Sequence, residues 1–413
     1  MDLNIVNKKI KKVTIITLLI IVTILILGIF CLNKKPKQSI PTLKITLNKT
    51  TLNKINNNSK EIKYKNNSIK IIENNNTVTK DNITIKGRGN STWAWTKKPY
   101  QIEFDEETKL FGLGVSKKYI LLANYVDESL LRTDIAFYIA NKLDMQYAPK
   151  GTWVNLYIDD QYLGVYYITN KIEISAGSVD LKDDLGIIVE LDNIYYYEDE
   201  YYITDTYKDH LVIKDINTKE KKDETISIFM NKYKLLEKAV EEHDWDKIIE
   251  IIDIQSLAKH HIIYELTWDA DAYKSSFFMY MNGKDDKIHF GPVWDFDRSY
   301  DNDIKEKATT QHIEIPAEVK NGRYDKYSEM MFELVHFPEF KHIMKQEWNK
   351  YMKNGLEDIS NRLISKSELL EKDANRNIKT WNYKYTYEEY VNELLDKVRT
   401  AYNSFAVTMK NNN

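Results

Sequence analysis

Two pairs of aspartates have the spacing needed to handle a metal ion and a transferable group. Asp269 and Asp271 lie in the run T-W-D-A-D-A-Y-K-S-S-F-F-M-Y, Thr267 to Tyr280. There a helical pattern gives way to a strand pattern. A carboxylate in such a loop has its backbone held at both ends and can serve as base or metal ligand. Ser275 or Ser276 follows at a distance that returns a hydroxyl to the same place. The plainer reading is that these aspartates cap turns. Asp295 and Asp297 lie in H-F-G-P-V-W-D-F-D-R-S-Y, His289 to Tyr300. Alternation sends Trp294 and Phe296 to one side and both carboxylates to the other. Oxygen donors on a stiff segment suit Mg²⁺, which keeps water or phosphate in its remaining positions. A solvated strand end is the alternative, and the density of acids around one apparent hairpin weighs against it.

The complementary bases sit earlier. Ile85 to Trp93 reads I-K-G-R-G-N-S-T-W and continues as T-K-K-P-Y-Q-I. Two glycines allow close backbone approach, Arg88 supplies charge beside Asn90, and Lys97 or Lys98 adds more, so the segment could hold a polyphosphate. It lacks the full G-x-x-x-x-G-K-[ST] pattern, and a hairpin turn with exposed lysines fits equally well. Arg132, at the start of a long helix, could bind phosphate or form a structural ion pair. Glu190, in V-E-L-D, is either a polar group at a lobe junction or a strand end.

Composition narrows the rest. The 413 residues carry 59 basic and 62 acidic side chains, a net charge of −3, which excludes a general nucleic-acid binder. One cysteine excludes a disulfide framework and a multi-cysteine metal site. The histidines show no H-E-x-x-H spacing, and no G-x-S-x-G is present, so a zinc protease and an α/β-hydrolase are both disfavoured.

The elements that must position these residues can be read from periodicity. Strands are predicted from about 60 to 125, with Tyr100, Ile102 and Phe104 on one face. A helix follows through Leu131, Ile135, Ile139 and Leu143, capped by Asp127 or Ser129. A hairpin turns at Asp159-Asp160, and Gly186 to Leu191 is a further strand. Helices are predicted over 225–268, 326–353 and 386–410, interrupted by a short β stretch from Phe277 to Phe290. The fold class is α+β, a β-rich first half (61–200) and an α-rich second half (225–413), with a ligand cleft expected between two lobes.

Residues 13–32 are about 20 uncharged, largely aliphatic positions, the length needed to cross a bilayer as a helix. An uncleaved single-pass anchor is favoured over a cleaved signal peptide, a lipoprotein signal using Cys31 or a buried helix. Residues 1–12 would be a short cytoplasmic arm, 33–60 a stalk with the first strands, and 61–413 a domain outside the cytoplasm.

Taken in order, GRGNSTW with KKPYQIEF, KKYILLANYVDESLLRTDIAFYIANKL, VNLYIDDQYLGVYYI, GIIVELD, WDADAYKSSFFMY and GPVWDFD resemble the spore coat protein H (CotH) kinase family. The resemblance covers roughly residues 80 to 350. It implies an atypical, two-lobed protein-kinase-like fold and transfer of the ATP γ-phosphate to Ser or Thr of coat or cell-surface proteins. It implies ATP and Mg²⁺ or Mn²⁺ as cofactors. Asp271 would orient or deprotonate the acceptor hydroxyl, and Asp295 with Asp297 would hold metal. Ser275 or Ser276 stands where some members place a metal-binding asparagine. Lys97 or Lys98 would contact phosphate, with Arg88, Asn90, Arg132 and Glu190 completing the nucleotide site. Asn170 stands where many members carry glutamate. The alternative is a surface or spore-coat scaffold that keeps the fold without turnover.

Overall fold

Alternating apolar residues close the first half of the chain into a seven-stranded barrel. The computed structural model describes residues 39–74, 76–195, 200–300, 302 and 327–411. The strands are β1 (Thr42–Thr46), β2 (Tyr64–Glu73), β3 (Asn76–Gly87), β4 (Tyr100–Lys109), β5 (Val115–Leu122), β6 (Gly151–Ile158) and β7 (Gln161–Asn170). Their order is β1-β2-β3-β4-β5-β7-β6, and β1 closes the ring by pairing in parallel with β6. Closure removes both edges, and Leu43, Ile69, Ile85, Ile102, Leu121 and Ile168 fill the interior. The expected Asp159-Asp160 turn is present, with φ of 48° and 63°, the two left-handed residues a tight hairpin requires.

The folded body therefore begins at Ile40, earlier than the 61 expected, because β1 is a barrel strand. The anchor expected at 13–32 lies outside the described residues. Among the described residues no helix is long and apolar enough to cross a membrane.

The second half is helical around a small sheet. It contains α3 (Lys222–Glu241), α4 (Trp245–Ile251), α5 (Ile254–Thr267), α6 (Glu329–His336), α7 (Pro338–Tyr351), α8 (Gly355–Trp381) and α9 (Tyr387–Asn411). Two earlier helices, α1 (Leu52–Asn57) and α2 (Arg132–Lys142), belong to the barrel half of the sequence. The sheet runs β12-β11-β8-β10-β9, from β8 (Ile187–Leu191), β9 (Tyr201–Ile203), β10 (His210–Ile216), β11 (Phe277–Met281) and β12 (His289–Phe290). The strand at Gly186–Leu191, assigned by sequence to the first lobe, thus joins the second. Its five residues are all buried, and β11 pairs along its whole length.

Long helix α8 braces the barrel along β7. Gly164 has φ of +103°, and a Cβ there would stand 2.3 Å from Asn377 Oδ1, so only glycine lets the helix approach this closely. Trp381 Nε1 donates to Leu163 O at 3.0 Å, and the Arg362 guanidinium grips Asp134 of α2 through two bonds of 2.8 Å.

Beneath the helical half lies a buried acid, Asp209, which accepts from Ser328 Oγ at 2.8 Å and Tyr233 OH at 3.0 Å. Burial pushes its carboxyl up to about 6, partly opposed by those hydroxyls. A raised folded-state value means that its stabilising contribution is full below the unfolded value near 3.8 and is lost as pH rises through about 6. Asp209→Asn is expected to remove this dependence. The stability of wild type minus variant, from urea melts, should fall by roughly 3 kcal/mol between pH 4 and 7. A pH-independent difference would contradict the assignment.

Candidate active site

Helix α5 delivers the first acidic loop. Its N-cap Asp253 accepts from Gln255 N and Ser256 N, and His289 ties Asp253 Oδ2 (3.0 Å) to Asp286 Oδ1 (3.1 Å). The helix is buried on nearly every face, with His260, His261 and Glu265 among its buried residues. It ends at Trp268, whose φ is +48°. The loop to β11 then holds two more non-glycine residues in the left-handed region, Tyr273 (+58°) and Ser276 (+55°). Such conformations persist only where surroundings over-determine them, and they gather at functional sites. Here Tyr327 OH donates to Ala270 O (3.1 Å) and Ser328 N donates to Tyr273 O (2.9 Å).

The two aspartates of this loop differ. Asp269 is buried, and burial, then the charges of Asp271 and Asp295, hold its carboxyl well above the usual range. It is therefore biased to the neutral form. Asp271 is largely buried but not fully enclosed, and Arg298 Nη1 lies 3.0 Å from each of its carboxylate oxygens. Asp271 O accepts from Lys274 N at 3.0 Å and Ser275 N at 3.3 Å, which closes a turn behind the carboxylate.

The second acidic loop leaves β12. Trp294 and Phe296 are buried, as alternation predicts, while Asp295 is open to solvent with φ of +69°. Protein packed around Asp295 strips away hydration despite its open tip. With Asp271 and Glu190 adding like charge and Arg88 opposing them, its carboxyl is pushed up to about 6. Enclosure, Asp295, Asp271 and Asp127 raise Asp297 further. Ser276 Oγ donates to Asp295 Oδ2 at 3.4 Å. Thus Ser276 is the hydroxyl that reaches the acids. Ser275, the other candidate, is buried and closes the turn through its amide. Asn302 Nδ2 bridges Asp297 O (2.7 Å) and Val126 O (2.5 Å), fixing this loop to the segment before α2.

The Arg88 guanidinium lies 4.9 Å from the Trp294 ring and is under the electrostatic influence of Asp295 and Glu190. Burial lowers its value, and those two carboxylates oppose the shift. Glu190 accepts from Lys214 Nζ at 2.9 Å. Lys214 is the extra residue of a bulge in β10, where pairing with β8 shifts between Ile213 and Asp215. Bulges re-aim side chains in this way, often beside functional sites.

Four expected site residues have other employment. Lys97 is fully buried and donates to Val165 O (2.6 Å) and Asn377 Oδ1 (3.1 Å), with the Tyr166 ring 4.8 Å away. It clamps β7 to α8. Lys98 Nζ turns back to Trp93 O at 2.5 Å. Asn90 is exposed and accepts from Lys60 Nζ at 2.6 Å. Arg132 forms a buried ion pair with Asp127 (2.6 Å) and donates through Nε to Ser299 O (3.1 Å), so it braces the second acidic loop. The N-cap of α2 is Leu131, with no side-chain cap, rather than the expected Asp127 or Ser129; Asp127 nonetheless accepts from Arg132 N at 3.0 Å. Asn170 spans Leu113 O (2.8 Å) and Gly177 O (2.5 Å) and is part of the connection between the barrel and the second half.

The residues missed by sequence reasoning are Arg298 and Lys214. Arg298 was visible as the R of W-D-F-D-R. Lys214 carried no signal, because a bulge leaves no fixed spacing.

Lys97→Met tests the structural role. Thermal stability is expected to fall by about 1–3 kcal/mol, since Val165 O loses its buried donor, while Mg·ATP affinity stays within about twofold of wild type. Loss of nucleotide affinity at unchanged stability would restore Lys97 to the site.

A pocket of about 350 Å³ lies beside the acids and shares Trp294 with Arg88; Gly114, Met145, Lys150, Asn170 and Gly177 also line it. The carboxylates are outside its lining. Among the described residues no three His, Cys, Asp or Glu side chains converge tightly enough to hold a metal unaided. The donor set is oxygen only: two carboxylates and a hydroxyl. That suits Mg²⁺ or Mn²⁺ completed by water and phosphate. No curated protein matches the sequence. The family model described as CotH kinase protein matches residues 85–403, which include both acidic loops, Arg88 and the helices that brace them. The chain belongs to the CotH kinase family.

Proposed function

We propose that the protein transfers the γ-phosphate of ATP to Ser or Thr hydroxyls of a protein acceptor, a coat or cell-surface protein. The observation that carries this reading is the repulsion between Asp271 and Asp295, which come from separate loops, with Arg88 and Glu190 also acting on Asp295 and Lys214 paired to Glu190. Their mutual repulsion stores a demand for positive charge, which a divalent cation with a polyphosphate would meet. Asp295, Asp297 and Ser276 would hold that cation, and its role would be to neutralise phosphate charge.

In the transfer, a bond forms between the acceptor oxygen and the γ-phosphorus. The bond from that phosphorus to the β–γ bridging oxygen breaks, and ADP leaves. Asp271, held by Arg298, accepts the hydroxyl proton and aims the oxygen. Arg88 and Lys214 would balance phosphate charge. The pocket beside Trp294 is large enough for the nucleoside end.

Residues 13–32 would anchor the protein once through a membrane, with the kinase-like domain outside the cytoplasm. Melting of the full chain tests the nucleotide part of the proposal. Mg·ATP at 100 times its dissociation constant should stabilise the fold by about 2.7 kcal/mol. Absence of any shift, together with no phosphate incorporation, would favour the scaffold reading.

A further inference from the structure

The aromatic core under the first acidic loop contains a polar island that packing does not require. His261 on α5 stacks on Tyr273 with ring centroids 5.9 Å apart, and His261 Nδ1 lies 2.6 Å from Tyr273 OH. On its other side, His261 Nε2 lies 3.7 Å from Glu265 Oε1. All three side chains are almost wholly buried. The tautomer that suits both neighbours carries its proton on Nε2, facing Glu265, and accepts at Nδ1 from the tyrosine hydroxyl.

Tyr273 occupies the centre of the turn that Asp271 O closes with Lys274 N and Ser275 N. Its backbone is in the left-handed region, disfavoured for a bulky residue. Phenylalanine would pack against Tyr264, Phe277 and Phe332 as well as tyrosine does. Replacing both partners of a buried polar pair by apolar groups is often neutral or stabilising, so the pair as a whole is not explained by stability. What it adds is direction. The bond to a rigid helix fixes the ring's rotation about the turn, and with it the carboxylate two residues earlier.

We infer that His261 and Tyr273 are positioning residues for Asp271, setting the loop geometry in which the acceptor hydroxyl is aimed. The inference rests on the phosphotransfer reading for its consequence, but its structural half can be read separately.

The test combines hydrogen–deuterium exchange of the full chain with labelled-ATP turnover. In Tyr273→Phe, exchange in peptides spanning 268–276 should rise about tenfold while barrel peptides stay unchanged. The kcat should fall between about tenfold and a hundredfold, with KM for Mg·ATP within about twofold. His261→Leu should behave alike, the double variant should be no worse than either single, and His261→Asn, whose amide replaces Nδ1, should recover most of the loss. Unchanged loop exchange, additive losses or a uniform rise in exchange across the chain would each overturn the inference. If wild type transfers no phosphate but Tyr273→Phe still loosens 268–276 alone, the positioning role stands and the phosphotransfer reading fails.

Discussion

Asp295→Asn is expected to weaken Mg·ATP binding by about 100-fold and to lower phosphate incorporation by about 1,000-fold or more, while the melting temperature falls no lower than that of wild type. The two effects have opposite signs for one reason. Asp295 is an open carboxylate surrounded by Asp271, Asp269, Asp297 and Glu190, with Arg88 as its main counter-charge. Neutralising it relieves repulsion on its neighbours, as a stability–function trade-off predicts. It also removes the charge to which a divalent cation would be drawn. Asparagine keeps the shape and tolerates the left-handed backbone of this position, so the loop is not forced to change. Titration calorimetry with Mg·ATP and thermal melting at pH 7.5 measure both halves. Wild-type affinity in the variant, or a large fall in its melting temperature, would make Asp295 a structural acid instead.

Asp271→Asn is expected to lower kcat by about 1,000-fold and to leave Mg·ATP affinity within about threefold. Asp271 already has Arg298 on both oxygens, so its charge is partly balanced without nucleotide. Its contribution appears only when an acceptor hydroxyl must be aimed and relieved of its proton. Asp269→Asn is the control, because burial already biases that carboxyl to its neutral form. Comparable kcat losses in the two variants would mean that the loop, not the Asp271 carboxylate, had been damaged. Parallel loss of affinity and kcat in Asp271→Asn would place that residue on the nucleotide instead.

Features legible in the sequence were those decided locally. The alternation of Tyr100, Ile102 and Phe104 gave β4, and two short polar residues gave the β6–β7 turn. Trp294 and Phe296 turned inward and left Asp295 in the open, as period two requires. Features decided by distant partners were hidden. Helix α8 was missed although its buried positions Ile359, Leu363, Leu370 and Ala374 keep helical spacing; its buried stripe also includes the polar Asn377. That asparagine meets Lys97 across 280 positions, so nothing near the paired lysines could show that one was a clamp. The parallel pairing of β1 with β6 was equally remote, which is why the first strand read as the margin of a stalk. The sequence pointed to the two acidic loops and to Arg88, but not to Lys214. Lys214 reaches Glu190 through a bulge, and Arg88 owes its place to Trp294.

Incubation of the full chain with Mg²⁺ and ATP labelled at either the α- or the γ-phosphate, with a Ser/Thr-rich acceptor protein, tests the central claim most directly. The expected result is incorporation of γ-label alone, on serine or threonine by mass spectrometry, slowed about 1,000-fold by Asp271→Asn. Incorporation of α-label, or γ-label incorporation undiminished by Asp271→Asn, would contradict the account.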